Sequence, residues 1–232
     1  MKWTRTRLAL AVAVLMLVVP GCNDDDDVIN SNVSQTVETG MDQALGTTVV
    51  PLVQFYGALG DLFVAPVAGA VGGVACPETT GWCSSGSVSC TPTITGLAFA
   101  WDECVVTAGN DPITVDGNLA VFPGTPIGLT LTNLFLNNSP AISGSGTINV
   151  GTCTYSANIQ TADALVTGTI VQCDDDSYPT GNTLAVTLGD ILVTIVFDGS
   201  SVAHATATQG AATVASCTID LAADPLTTSC GS

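Results

Sequence analysis

Hydrophobic positions fall into three regimes along the chain of 232 residues. An unbroken apolar run, "LALAVAVLMLVV" at residues 8–19, follows Lys2, Arg5 and Arg7. Over residues 34–46, Val37, Met41 and Leu45 recur every four positions, which predicts one amphipathic helix. After Pro51 come Leu52, Phe55, Leu59, Leu62 and Phe63, stopping near Pro66. Prolines and glycines interrupt that second stretch, so it reads as a helix packed on a domain rather than as a membrane span. From Val74 onward the period drops to two, in short segments rich in Thr, Val, Gly and Asn.

Two hairpins stand out. In "TLAVTLGDILVTIVFDGSS", Gly189-Asp190 suits the central pair of a type II′ turn, with Gly first. Pairing about it sets Leu188 by Ile191, Val186 by Val193 and Leu184 by Ile195 on one face, with Thr183, Ala185, Thr187 and Thr194 on the other. Asp198-Gly199 then turns the chain into "SVAHATATQ". In "TCTYSANIQTADALVTGTIVQC", a turn centred near Asp163 puts Cys153 opposite Cys173, Tyr155 opposite Val171 and Ala157 opposite Thr169. The same argument about Ala223-Asp224 puts Cys217 opposite Cys230. Hairpins in series predict a mainly β fold: a curved antiparallel sheet, open barrel or sandwich of about ten short strands with an N-terminal helical segment.

The start of the chain carries the clearest motif. Twelve apolar residues are too few to span a bilayer as a helix and fit the core of a secretory signal peptide. The segment ends at Val19-Pro20-Gly21-Cys22, which resembles the lipobox of bacterial lipoproteins. That resemblance implies cleavage before Cys22, a thioether-linked diacylglycerol on its sulfur and a further acyl chain on its amino group. Two or three chains hold a protein on a membrane where one holds weakly. The expected organisation is a signal peptide at 1–21, an acidic linker at 22–33, a helical segment at 34–66 and a disulfide-stapled β domain at 67–232. Asp24 to Asp27 read as a solvated spacer, and Asn23 lacks the aspartate associated with inner-membrane retention, so an outer-membrane site is expected, on either the periplasmic or the surface face.

Charge narrows the partners. All three basic residues precede Cys22, leaving 20 Asp and Glu and one His. Nothing in the processed chain could neutralise phosphates, so direct nucleic-acid binding is excluded. The lipid anchor, not electrostatics, has to do the tethering. The eight remaining cysteines, Cys76, Cys83, Cys90, Cys104, Cys153, Cys173, Cys217 and Cys230, imply oxidised pairs in an exported protein. Pairing of the first four is open, with Cys76–Cys83 and Cys90–Cys104 the favoured set.

Candidate chemistry is sparse. His204 is the only imidazole, and its face depends on turn length: two residues set it beside Val193, three turn it outward. The run 199–203 imitates a nucleophile elbow but lies between strands instead of between a strand and a helix. Asp174, Asp175 and Asp176 offer oxygens to Ca²⁺, although Pro179 and Ala185 replace the Gly and Glu of an EF-hand loop. Asp102 and Glu103 could form a glycosidase-like pair, yet strand alternation sends neighbours to opposite faces. No cofactor and no enzymatic activity are expected. The reading is a membrane-anchored envelope lipoprotein of structural or partner-binding type, with an envelope protein as partner. The alternative is a carrier of an apolar, lipid-like ligand held between helix and sheet.

Overall fold

The computed structural model describes residues 26–63, 75–108, 111–137, 139–172, 178–223 and 225–231. The described chain opens with a helical run: α1 (Asp26–Ala44), a π-helical turn (Leu45–Val49) and α2 (Val50–Phe63). Residues 26–33, expected within an acidic linker, are therefore helical. Aspartates at a helix start suit the partial positive charge of its unpaired N–H groups. Pro51 removes an N–H and crowds the carbonyl four residues back. The wider π turn just before it accommodates that defect. Along α1, Val37, Met41, Ala44 and the following Leu45 are buried, while Gln35, Thr39 and Gln43 are exposed. Along α2, Leu52, Phe55, Tyr56 and Leu59 are buried while Val53, Gln54 and Gly57 are half-buried, so one face is covered by the sheet and the other only in part.

Twelve strands follow: β1 (Ser87–Pro92), β2 (Leu97–Ala108), β3 (Asp111–Phe122), β4 (Ile127–Leu136), β5 (Ile142–Asn149), β6 (Thr154–Gln160), β7 (Leu165–Val171), β8 (Thr180–Leu188), β9 (Ile191–Asp198), β10 (Val202–Gln209), β11 (Ala212–Asp220) and β12 (Thr227–Gly231). Each pairs antiparallel with the next in one open sheet, so the fold is mainly β, with two more strands among the described residues than expected. The Gly189-Asp190 hairpin has the expected register, with Leu188↔Ile191, Val186↔Val193 and Leu184↔Ile195.

The sheet curls around the helix. Adjacent residues on a helix point about 100° apart. Phe55 packs edge-on to Trp101 of β2 at 5.8 Å, whereas Tyr56 stacks on Tyr155 of β6 at 6.4 Å. Likewise Glu38 accepts a hydrogen bond from the Cys230 N–H of β12, whereas Gly40 lies against Leu188 of β8. Strands four apart thus meet neighbouring helix residues, which only a trough-shaped sheet allows. Curvature is built at register shifts. Gly117 (φ 109°) marks the bulges of β3 with β2 and β4, and Gly168 (φ 141°) the one between β7 and β8. The concave face carries the core, including Ile113, Val115, Leu131, Val186 and Ile195.

Three disulfides lie at the two ends of this open sheet. Cys217–Cys230 joins β11 to β12, as expected from the sequence. At the other end the bonds are Cys76–Cys90 and Cys83–Cys104, not Cys76–Cys83 and Cys90–Cys104. Register is the reason. Cys90 sits opposite Phe99, so Cys104 lies five positions further along β2, about 17 Å away. Ser84 and Ser85 pair with Val105 instead, which brings Cys83 beside Cys104. Each such bond contributes about 3 kcal/mol by restricting the unfolded chain.

The β6–β7 hairpin departs from expectation by one residue, pairing Tyr155 with Ile170 and Ala157 with Gly168. Its loop spans four residues, closed by Thr161 N–H to Ala164 O at 2.9 Å, with the Thr161 hydroxyl accepting from Ala164 N–H. Cys153 is disulfide-bonded; Cys173, its expected partner, lies outside the described residues.

Candidate functional site

Cys22 and the calcium candidates Asp174, Asp175 and Asp176 also lie outside the described residues. His204 is exposed on the outer face of β10, opposite Val196, because three residues separate β9 from β10. It borders a shallow recess of about 480 Å³ on the outer face of β10–β12, with Thr206, Ser216, Thr218 and Ser229 among its walls. The Ser200 N–H donates to the Asp198 carboxylate at 2.9 Å, and no strand–turn–helix surrounds that serine.

Asp102 and Glu103 do share a face, contrary to the alternation argument. A bulge between Trp101 and Cys104, with Glu103 at φ 46°, turns both outward, opposite the exposed Asp116. The extra residue of a bulge breaks the period of two. The three carboxylates stand exposed on the outer face of the sheet. Among the described residues, no group of three or more His, Cys, Asp or Glu is placed to hold a metal.

The outer face has a character of its own. One register row runs from Thr91 on β1 through Thr130, Ser145, Thr167, Thr194 and Thr206 to Gly231 on β12, and only Thr, Ser, Ala, Asn and Gly occur in it. Leu165, Leu192 and Val196 add exposed apolar surface nearby. Among the described residues the inner face is closely packed beside α2. Between α2 and β6–β8 a gap of only about 20 Å³ remains, lined by residues such as Leu52, Tyr56, Tyr155 and Val166. That is room for about one water molecule. The Tyr56 hydroxyl is buried there without a hydrogen-bond partner, and burial pushes its pKa up.

Several carboxylates in this base-poor chain accept hydrogen bonds from N–H donors. Glu38 accepts from Cys230 N–H, Asp198 from Ser200 N–H and Asp220 from Ala222 N–H; Asp163 and Asp190 accept from the amides of Gln43 and Gln209. Asp42 differs: its Oδ1 is buried without a partner, as are the hydroxyls of Ser34 and Thr228. Sequence reasoning passed over this seam between α1 and β12. Its signal was a polar residue every fourth position, at 34, 38 and 42, beside the apolar stripe.

Hydrogen bonds from Ser200, side chain and backbone, hold the Asp198 carboxyl below the usual aspartate range, and His204 adds to the effect. A lowered folded-state pKa stabilises the fold above the unfolded-state value, near 3.9, and that gain disappears as pH falls through the folded-state value. Asp198→Asn is therefore expected to melt below the wild type at neutral pH, with the gap closing in acid. Melting curves from pH 7 to pH 2 check this; a gap independent of pH contradicts it.

No family model, curated protein or solved structure matches the chain.

Proposed function

We propose that this chain is a membrane-anchored lipoprotein of a bacterial cell envelope, non-enzymatic, whose β domain serves a structural or partner-binding role. The close packing of α2 on β6–β8, among the described residues, carries the choice between binding classes. A carrier of lipid-like ligands needs a pocket of several hundred Å³, and the gap between α2 and the sheet is about 20 Å³. Anchoring rests on the apolar run and Val19-Pro20-Gly21-Cys22. Among the described residues no helix is long and apolar enough to cross a membrane, which is compatible with a lipid tether. Placement at the outer membrane rests on Asn23 following Cys22.

Native mass spectrometry of protein extracted gently from its own membrane tests the binding class. The expected result is a folded domain free of small-molecule adducts, together with a defined envelope protein captured by carboxylate-directed crosslinking before extraction. A stoichiometric apolar adduct on the folded protein would establish the carrier reading instead.

A further inference from the structure

We propose that the rim of the sheet formed by the β1–β2, β3–β4 and β5–β6 turns rests on the lipid bilayer, with Ile94, Phe122 and Val150 entering its surface. The inference rests on the lipid anchor at Cys22. In a meander of antiparallel strands the turns fall alternately at two rims. These three turns therefore share one rim, and the β6–β7 and β8–β9 turns share the other.

Turn chemistry does not account for the residues at the first rim. Tight turns favour Gly, Pro, Asn, Asp and Ser, whereas β-branched side chains suit strands. Yet Ile94 is fully exposed in the turn closed by Thr93 N–H to Gly96 O. Val150, in the 3₁₀ turn Val150–Thr152, is 46% exposed. Phe122 ends β3 between them, at 36%. Neighbouring turns of one rim stand two strands, about 10 Å, apart. No charged residue occurs in 92–97, 122–128 or 149–154. Leu165 and Leu192 are exposed near the opposite rim, but they flank Thr187 in paired strands and so stand sideways on the outer face.

The course of α1 brings the anchor to the same rim. Its C-terminal part lies at the opposite rim, where the Gln43 amide donates to Asp163 of the β6–β7 turn and Gly40 meets Leu188 at the end of β8. Glu38 sits at mid-height, on Cys230, which pairs with Cys217 of β11. Asp26 lies twelve positions before Glu38, about 18 Å along the helix. In that direction β11 extends only three residues beyond Cys217, about 10 Å. The start of α1 therefore reaches the rim that carries Ile94. Cys22 precedes Asp26 by four residues, a reach of at most about 14 Å. A tether that short keeps this rim at the bilayer surface.

Charge sets the tilt and the kind of contact. Asp198 and Asp220 end β9 and β11 on the same rim, and no Lys or Arg follows residue 7 to attract anionic headgroups. The uncharged β1–β6 side tips toward the lipid, and its hold is apolar.

Quenching by brominated lipid tests the contact. Ile94→Trp, Val150→Trp and, at the opposite rim, Ala162→Trp are made in the full lipidated chain, all at exposed positions that leave the core untouched. Each protein is reconstituted into phosphatidylcholine vesicles with brominated acyl chains and floated on a density gradient. Emission from positions 94 and 150 is expected to shift to the blue and to lose intensity relative to unbrominated vesicles. That loss should exceed the change in the wild type, whose Trp82 and Trp101 set the background. Ala162→Trp should match the wild type. Protein that floats with positions 94 and 150 quenched no more than position 162 overturns the rim contact and leaves the anchor standing. Protein that fails to float overturns the anchor, and the rim contact with it.

Discussion

Gly117→Ala is expected to destabilise the fold by about 2–6 kcal/mol, a large share of the roughly 5–15 kcal/mol that holds a typical domain together. Two costs combine. The backbone at Gly117 has φ 109°, where an L side chain is strained, at about 1–3 kcal/mol. An added Cβ would also stand 2.1 Å from the Asn133 carbonyl oxygen, so β3 and β4 would have to separate, at about 1–3 kcal/mol. Neither neighbour can give way cheaply, since both clashing groups are backbone in paired strands. Gly57→Ala provides the contrast. Position 57 lies within α2 with nothing within 4 Å of the added carbon, so this change should stabilise by about 0.5–1 kcal/mol. Chemical denaturation of the two variants reads both signs. Equal, small effects would contradict a sheet curled at Gly117.

A second large effect is expected at the centre of the trough. Phe55 is fully buried and packs edge-on against Trp101, so Phe55→Ala should cost about 3–5 kcal/mol. Its neighbour should respond in the opposite sense. The Tyr56 hydroxyl is buried without a partner near Gly146, and Tyr56→Phe removes that oxygen while keeping the ring on Tyr155. Stability should be unchanged or rise by about 1 kcal/mol. Denaturant midpoints decide the matter. A mild Phe55→Ala would mean that the helix is not enclosed by the sheet, and a costly Tyr56→Phe would mean that the hydroxyl has a partner after all.

Local features were legible in the sequence where a single rule governed them. The β8–β9 hairpin follows from a period of two and a Gly-Asp turn, and Cys217–Cys230 from counting outward from the next turn. Readings failed where long-range register decided. Cys90 and Cys104 look like neighbours in the chain, but strand pairing carries them five positions apart. The Thr161 loop has an even number of residues, which moves every pair of β6–β7 by one. Alternation alone cannot reveal a bulge, so Asp102 and Glu103 were assigned to opposite faces. The helix begins before residue 34 because aspartates that suggest a solvated spacer also suit a helix start. The strongest functional signal in the chain is Val19-Pro20-Gly21-Cys22, by its resemblance to a lipobox.

The mass of the N-terminal peptide, taken from protein isolated from its own membrane, tests the central claim most directly. Trypsin finds no Lys or Arg after residue 7, so a protease that cuts at acidic or aromatic residues has to release it. The account predicts a peptide that starts at Cys22 and carries a diacylglycerol thioether with a further amide-linked acyl chain. A peptide that retains residues preceding Cys22, or one in which Cys22 is unmodified, would contradict the tether and the envelope role built on it.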